Sequence, residues 1–387
     1  MLALALAAPR RSFTIVAGDF VKTGGMDRAN YAFADYLNRL GADVELVAHR
    51  AEGELAERPH VGLVRVPKPL GSYLLGDPLL DRAGRRAAAA RRSAGGVTVV
   101  NGGNCVAAAV NWVHYVHAAY RPELEPSFAG ARRAAYGVYL RRQERLALRR
   151  AELVIANSEA TRRAVIDDVG VEAARVAVVH IGLDAALFAP SDADTRARAR
   201  AELGFGERAA VAFVGALGDR RKGFDTVFDA WRSLVRNGSW DVDLVAVGAG
   251  SALAAWRARV ASAGLGERIR LLGFRRDVPR VLAACDALVA PARYEPFGLG
   301  ALEAIAKALP TFVSAHAGVA ELYPAELRHV LIDDPASADE LARKLLLWRD
   351  QREAERAAWL AFSERVRRHD WDAMSAAMLR LIDERAG

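Results

Sequence analysis

Runs of apolar and β-branched residues alternate along the chain with segments whose apolar residues recur at helical spacing. Residues 12–18 are predicted to form a strand. The helix predicted after it has an apolar face formed by Met26, Ala29, Phe33, Tyr36, Leu37 and Leu40. Further strands are predicted at 43–48, 61–66, 97–100, 110–116, 153–156 and 176–180. This alternation is typical of a parallel α/β domain, which we expect to end near Pro190.

A second set of alternating units follows a polar stretch. Residues 191–200 are predicted to form a linker that runs into a short helix around 201–204. Strands are predicted at 210–214, 242–247, 269–272, 286–290 and 310–313. Helices are predicted near 224–236, 251–263, 277–284, 299–308 and 337–348. The pattern therefore predicts two doubly wound domains, over 1–190 and 205–368, with a cleft between them.

Composition narrows the class of protein. Of the 387 residues, 52% are hydrophobic and 26% are charged, which excludes a disordered chain. The 54 basic residues outnumber the 47 acidic ones, giving a net charge of +7, but only five are Lys and the other 49 are Arg. Such Arg and Ala abundance is typical of a GC-rich genome. Because the cations are spread among acids, the charge argues against a nucleic-acid binder.

Cysteine usage and the first residues bear on the compartment. Cys105 and Cys285 stand in apolar surroundings and form no metal-binding spacing or disulfide framework, which fits a reducing cytoplasm. The apolar residues 1–8 lack a basic leader, so we interpret them as an extension before the first strand; a signal peptide is the alternative. Residues 132–150 are predicted to form a basic helix. Its cations either face solvent or contact the inner face of an anionic membrane peripherally.

In open α/β sheets, ligands bind beyond the carboxyl ends of the strands, so candidate chemistry is sought there. Gly24 and Gly25 follow the first strand at a helix start, where backbone amides favour an anion. Their pattern differs from the dinucleotide fingerprint G-x-G-x-x-G. Arg220, Arg221 and Lys222 precede a glycine after the strand at 210–214, and three cations there suit a diphosphate. The phosphate-loop pattern of ATPases does not fit this segment.

Two more strand ends carry candidate residues. Glu295 lies in the loop after the strand at 286–290, and Glu303 lies on the second turn of the next helix, so both carboxylates can face one cleft. Gly298, near the start of that helix, leaves amides open to phosphate oxygens. His114 lies in the strand predicted at 110–116, and His117 directly follows it.

The ordered set of strand-Gly-Gly, Arg-Arg-Lys-Gly and Glu-x7-Glu resembles the family 4 glycosyltransferases, and nearly the whole chain takes part in the resemblance. Supporting segments lie at 156–159, 180–184, 272–278 and 314–321. The resemblance implies a GT-B fold, with two Rossmann-like domains facing a cleft, an acceptor side in the first domain and a nucleotide-sugar donor side in the second. It also implies that residues 369–387 form a closing helix that crosses back to the first domain.

By the same resemblance, Arg221 and Lys222 would hold the donor diphosphate, with Arg220 as the alternative to Arg221 because Ala216 stands where the family often has Arg. Glu295 would meet the donor sugar, together with the backbone of Phe297, Gly298 and Leu299. The nucleotide would be held at its ribose by Glu303 and at its base by Gly273, Phe274 and Arg275. His117, rather than His114, matches the histidine that contacts the donor sugar. The family transfers a glycosyl group with retention, and we expect no metal or other cofactor.

Three rival functions are considered. A metal-dependent transferase would use Asp-x-Asp, which occurs at 192/194, 241/243 and 370/372. A glycoside hydrolase would use paired carboxylates but gives the cationic loop no role. A silent nucleotide-sugar-binding or regulatory subunit would not need the complete sugar-facing set. The acceptor stays open, because the candidate acceptor loops at 67–80 and 120–126 fit lipid, sugar or a small metabolite equally.

Overall fold

The first domain is built around a parallel sheet of seven strands. The computed structural model describes residues 10–120, 122, 128–218, 220–238 and 240–386. The strands of this domain are β1 Ser12–Val16, β2 Asp19–Phe20, β3 Asp43–Ala48, β4 Arg50–Ala51, β5 Val61–Arg65, β6 Val97–Asn101, β7 Val110–Val113, β8 Leu153–Ala156 and β9 Val176–Val178. The order in the sheet is β5-β3-β1-β6-β7-β8-β9, and the short strands β2 and β4 pair separately.

Helices cover this sheet. They are α1 Met26–Arg39, α2 Gly53–Ala56, α3 Tyr73–Ser93, α4 Phe128–Arg150 and α5 Glu159–Ala164, which continues as a π turn over Val165–Val169. β1 is buried at Phe13 and Ile15, and α1 buries Phe33 and Leu37 in the same core. Because both faces of a parallel sheet are covered, such strands are apolar on both sides.

The second domain holds a five-stranded parallel sheet in the order β12-β11-β10-β13-β14. Its strands are β10 Ala210–Val214, β11 Asp243–Val247, β12 Ile269–Gly273, β13 Ala287–Ala290 and β14 Thr311–Val313. Its helices are α7 Phe224–Arg236, α8 Leu253–Ser262, α9 Val278–Ala284, α10 Leu299–Ala306, α11 Ala338–Gln351 and α12 Arg356–Arg367. Phe228 and Trp231 of α7 are buried against the sheet.

Two segments join the domains. α6 (Ala193–Glu202) occupies the stretch predicted as a linker and short helix, and Asp192 caps it by accepting a hydrogen bond from the Thr195 amide. The last helix, α13 (Trp371–Ala386), lies against the first domain, where Asp372 pairs with Arg39 of α1 and Asp383 pairs with Arg11. The chain therefore returns to its first domain at its end.

Most predicted elements agree with the structure, but several boundaries were wrong. The strand predicted at 110–116 ends at Val113, and the segment 67–80, treated as a loop, enters α3 at Tyr73. α12 was not predicted. Residues 1–8, and residues 121 and 123–126 of the second candidate acceptor loop, lie outside the described residues. Among the helices that the structure describes, none is both long and apolar enough to cross a membrane.

Candidate functional site

A cleft of about 620 Å³ lies between the domains, at the carboxyl ends of strands from both sheets. That volume is in the usual range of about 300–1,000 Å³ for small-molecule sites. The lining from the first domain and the segment that follows it is Lys22, Thr23, Gly24, Gly25, Arg28, Leu187 and Phe188. From the second domain the lining is Val214, Gly215, Ala216, Lys222, Val247, Gly248, Ala249, Phe274, Arg275, Arg276, Val278, Pro279, Leu299, Gly300 and Glu303.

The glycine pair of the first domain faces the donor side of the second. Gly24 has a φ of +81°, a backbone conformation that favours glycine, and Gly25 stands at the start of α1. A Cβ atom built on Gly25 would lie 3.6 Å from Cδ2 of Leu299 at the start of α10. The first turns of two helices, one from each domain, therefore border the same cleft, and their unpaired amides make it a favourable place for an anion.

The floor of the cleft is formed where the strands of the second domain end. The amide of Gly215 donates to the carbonyl of Val247, and the amide of Gly248 donates to the carbonyl of Gly273. A Cβ atom on Gly248 would lie 1.7 Å from the carbonyl oxygen of Gly215, so this approach requires glycine. Gly273 itself lies beneath the surface of the cleft, while Phe274, with an exposed fraction of 66%, and Arg275 line it.

The three cations after β10 take different places. Lys222 lines the cleft and forms an ion pair with Glu295. Arg220 is exposed and its Nε donates to Asp225 at 2.8 Å. Arg221 donates to the carbonyl of Tyr294 at 3.1 Å, and neither arginine belongs to the cleft lining. Of the three, Lys222 is the cation placed to meet a ligand in this cleft.

The Glu-x7-Glu segment is divided between two environments. Glu295 lines a small cavity beside the cleft, together with Lys222 and Gly298. Gly298 precedes α10 with a φ of +109°, and Phe297 next to it is buried. Glu303 lies on the cleft side of α10 and its carboxyl is almost wholly buried. The two carboxylates therefore line neighbouring cavities, and of the two only Glu303 lines the cleft itself.

The two histidines differ in their surroundings. His117 is partly exposed, and the buried carboxylate of Glu144 accepts hydrogen bonds from its backbone amide at 2.7 Å and from Nδ1 at 3.0 Å. His114 packs on the ring of Trp112, and its Nε2 is buried without a hydrogen-bond partner. Burial lowers the pKa of His114 to about 3. His117 is therefore the histidine that is held by a carboxylate and is open to a ligand, although it does not line the cleft described above.

Contacts between the domains bring His117 near Glu295. The Tyr294 hydroxyl lies 3.1 Å from the amide nitrogen of Val116 and 3.2 Å from its carbonyl oxygen. Since Tyr294 precedes Glu295 and Val116 precedes His117, this contact sets the two segments side by side. A second interdomain contact runs from Ser158, whose hydroxyl donates to the carbonyl of Pro296 at 2.7 Å.

Sequence reasoning missed three residues of this site. Arg28 pairs with Glu303, Glu144 holds His117, and Tyr294 bridges to Val116. One signal was present in the sequence, since Glu144 is the only acidic residue in the basic stretch 132–150. The other two depend on contacts between the domains, which no local pattern indicates.

The Asp-x-Asp pairs have structural partners away from the cleft. Asp192 caps α6, and Asp243 lies at the amino end of β11 with Arg208 and Arg268. Asp241 pairs with Arg349, and Asp372 pairs with Arg39. These aspartates therefore contribute to a helix cap and to ion pairs, and none of them belongs to the cleft lining.

Two family models and several curated relatives match this chain. The family model described as Glycosyltransferase Family 4 matches residues 23–187, and the model described as Glycosyl transferases group 1 matches residues 195–361. Mannosylfructose-phosphate synthase of Agrobacterium fabrum is 27% identical over 252 residues, which are 62% of this chain and 55% of that protein. The chain thus spans about half the length of that relative. D-inositol 3-phosphate glycosyltransferase of Kineococcus radiotolerans is 28% identical over 81% of this chain and 76% of its own length.

Solved structures agree on the fold. Sucrose-phosphate synthase from Thermosynechococcus elongatus superposes with a TM-score of 0.75 at 21% identity, over 97% of this chain and 99% of that one. The Anabaena protein HepE, solved in complex with UDP and glucose, gives a TM-score of 0.71 at 20% identity, over 97% of this chain and 100% of that one. The fold is GT-B, and with both of its domains matched by family models, the chain belongs to the family 4 glycosyltransferases.

Proposed function

We propose that the protein transfers a glycosyl group from a nucleotide-diphosphate sugar to an acceptor hydroxyl, with retention and without a metal ion. The observation that carries the proposal is the convergence of Lys222, the start of α10 and Glu303 on one cleft between the domains. Lys222 and the amides at the start of α10 suit a diphosphate, and the carboxylate of Glu303 suits the hydroxyls of a ribose. The presence of UDP and glucose in the HepE complex, on the same fold, supports this choice of donor class.

The site offers what the reaction requires. The bond between C1 of the sugar and the diphosphate oxygen breaks through an oxocarbenium-like state, so negative charge grows on the leaving diphosphate. Lys222 and the amides at the start of α10 stabilise that charge, because they are in place before the reaction begins. We assign the contact with the donor sugar to Glu295, which is paired with Lys222 beside the cleft.

Retention is consistent with attack on the same face from which the diphosphate leaves. The acceptor oxygen then bonds to C1, and its proton passes to an oxygen of the departing diphosphate. In this scheme the protein supplies orientation and charge stabilisation, and no side chain forms a covalent bond to the sugar. The contact of Tyr294 with Val116 joins the domains beside His117, to which we assign the first-domain contact with the donor sugar.

Binding and turnover test the proposal. Thermal shift with UDP-, ADP- and GDP-sugars identifies the donor, and release of the nucleotide diphosphate measures transfer or donor hydrolysis. We expect stabilisation by one nucleotide class, turnover that persists in EDTA, and a loss of at least about 100-fold in Lys222→Ala. Lys344→Ala, at a lysine paired with Glu340 outside the cleft, is the control. Binding without any turnover would favour the silent nucleotide-sugar-binding subunit, and loss of turnover in EDTA would contradict metal independence.

We also propose that the first domain contacts an anionic membrane surface through α4. Its exposed basic side chains include Arg132, Arg133, Arg142 and Arg145. The Tyr136 hydroxyl of α4 donates to Asp77 of α3 at 2.5 Å, so α4 lies beside the start of α3. That start exposes Leu70, Leu74, Leu75 and Leu79. Cations next to exposed apolar side chains are what binding to an anionic interface requires.

Vesicle flotation tests this surface. We expect the protein to float with vesicles containing phosphatidylserine and to stay behind with phosphatidylcholine alone. Replacing the four α4 arginines by Ser should abolish flotation. The matched control replaces four exposed arginines elsewhere, namely Arg198, Arg232, Arg280 and Arg356. Equal loss in both variants, or flotation with neutral vesicles, would contradict a specific role of α4.

A further inference from the structure

The buried carboxylate of Glu303 takes its partner from the opposite domain. Glu303 belongs to α10 of the second domain, and the Arg28 guanidinium, on the first turn of α1, donates a hydrogen bond to its Oε1 across the cleft. The exposed fraction of the side chain is 7% for Glu303 and 21% for Arg28. An ionised carboxylate in such a place is costly unless it is paired, so Arg28 is what stabilises its charge.

The surroundings of Arg28 hold its side chain in the cleft. The guanidinium carbon lies 6.0 Å from the ring centre of Phe188, near the end of the first domain, and 5.7 Å from that of Trp371 at the start of α13. Its Nε is buried without a hydrogen-bond partner, and the residue lines the cleft. Because Trp371 belongs to the closing helix and Glu303 to the second domain, the position of Arg28 depends on how the domains meet.

The geometry leaves part of Glu303 available to a ligand. Among the described residues, Arg28 is the hydrogen-bond partner of the carboxylate, and the bond is made to one oxygen, Oε1. Glu303 also lines the cleft. A carboxylate held in this way can accept a hydroxyl of a nucleotide ribose while it remains bound to the guanidinium, since each oxygen has two lone-pair sites.

We infer that Arg28 is a positioning residue for the nucleotide, which holds Glu303 ionised and oriented toward the ribose and so makes donor binding depend on contact between the domains. The inference rests on the proposed function, in which Glu303 meets the ribose. It assigns to the first domain a part in nucleotide recognition, without direct contact between Arg28 and the reacting atoms. By linkage, a nucleotide bound at Glu303 favours the arrangement in which Arg28 reaches it.

Nucleotide affinity should depend on pH through the charge of the Glu303 carboxyl. Burial raises the pKa of the Glu303 carboxyl above its ordinary value, Arg28 opposes that rise, and Asp184 adds to it. Removing the guanidinium therefore raises this pKa further. Since a protonated carboxyl is a poorer acceptor for ribose hydroxyls, nucleotide affinity in such a variant should be lost at a higher pH than in the native protein.

Calorimetric titration with UDP, ADP and GDP from pH 5.5 to 8 tests the inference, using Arg28→Met and Arg28→Lys. We expect Arg28→Met to bind the preferred nucleotide at least about tenfold more weakly at pH 7, with a loss that grows as the pH falls. Arg28→Lys should retain part of the affinity because it keeps the charge. The matched control is Arg39→Met on the same helix, which breaks the exposed interdomain pair with Asp372 and should bind as the native protein does.

The outcomes separate the two levels of the argument. If the native protein binds none of the three nucleotides, the proposed function itself fails. If the native protein binds one of them, and Arg28→Met binds it equally well or more tightly with the same pH profile, the inference is overturned while the proposed function stands. An equal loss of affinity in Arg39→Met would also overturn it, because any interdomain contact would then have the same effect. Thermal unfolding of each variant establishes that it is folded.

Discussion

At the scale of single residues, the site depends on charged groups that are buried with their partners. Glu144 is fully buried, and its carboxylate accepts hydrogen bonds from the amides of His117 and Ala118 as well as from Nδ1 of His117. Three donors on one carboxylate fix both the backbone and the ring of the histidine. The orientation of His117 is therefore set by α4, which carries Glu144.

Glu144→Gln tests this role while keeping the shape of the side chain. The side-chain NH2 of Gln would face one of the three donors, so one hydrogen bond would be lost. We therefore expect turnover to fall by roughly tenfold or more, and the free energy of unfolding to fall by about 1–3 kcal/mol. Steady-state kinetics and chemical denaturation measure the two effects. Glu152→Gln, at an exposed carboxylate paired with Arg92, is the control. Unchanged turnover in Glu144→Gln would show that His117 is not held for catalysis.

Asp27, next to the glycine pair, carries a separate prediction about pH. Burial, with a further contribution from Asp19, raises the pKa of Asp27 from 3.8 to about 6. A raised carboxyl pKa means that the fold favours the protonated form. The contribution of Asp27 to stability is thus complete below about pH 4 and is lost as the pH rises through about 6.

Asp27→Asn removes this titration. We expect the free energy of unfolding at pH 7 to increase by roughly 1–3 kcal/mol, and the gain to shrink toward zero near pH 4. Denaturant unfolding at the two pH values measures it, with the exposed Asp350→Asn as the control. A gain of the same size at both pH values would contradict the assignment.

At the scale of elements, the start of α10 is the feature on which the donor side depends. Gly298 has a φ of +109°, and a Cβ atom there would lie 3.1 Å from Cγ1 of Val319 and 3.3 Å from Cγ of Glu295. The helix can begin at this point, with its amides open to the cleft, because residue 298 has no side chain.

Gly298→Ala should therefore weaken both the fold and donor binding. We expect a loss of about 1–2 kcal/mol in stability, from backbone strain, together with weaker binding of the nucleotide sugar. Thermal unfolding and titration calorimetry measure the two effects. Gly266→Ala is the control, since Gly266 is a turn residue with open space around its Cβ position and no positive φ. Native binding in Gly298→Ala would mean that the start of α10 does not contact the ligand.

The sequence predicted the elements best where their apolar residues are buried. β1, β3, β10 and α7 fall within a few residues of their predicted bounds, because period-2 or helical spacing coincides with the core. α3 was not predicted, and its start was interpreted as a loop because Gly71, Gly76 and Pro78 are typical of loops and the leucines there are exposed. A helix or strand can therefore be predicted from the spacing of its apolar residues to the extent that burial produces this spacing.

The residues of the site also divide into those that a local pattern predicts and those that it does not. Gly24, Lys222, Leu299 and Glu303 were predicted from strand ends and from the family resemblance, and the structure gathers them in one cleft. Arg28 could not be predicted as a partner of Glu303, since 275 residues separate them and the pair exists only when the domains meet. Contacts between domains depend on three-dimensional arrangement rather than on local spacing.

At the scale of the whole molecule, the two sheets present their carboxyl ends to one cleft, and α13 returns the chain to the first domain. Loops from both domains line the cleft, so a ligand that fills it must contact both. We propose that this cleft, and not a surface of one domain, holds the nucleotide-diphosphate sugar.

Hydrogen–deuterium exchange with and without the donor sugar tests that claim most directly. Segments 23–28 of the first domain and 214–216 and 298–303 of the second contain lining residues of the cleft. We predict that all three segments become protected together at one donor concentration, and that Lys222→Ala abolishes the protection in both domains. Protection confined to one domain, or protection that persists unchanged in Lys222→Ala, would contradict the account.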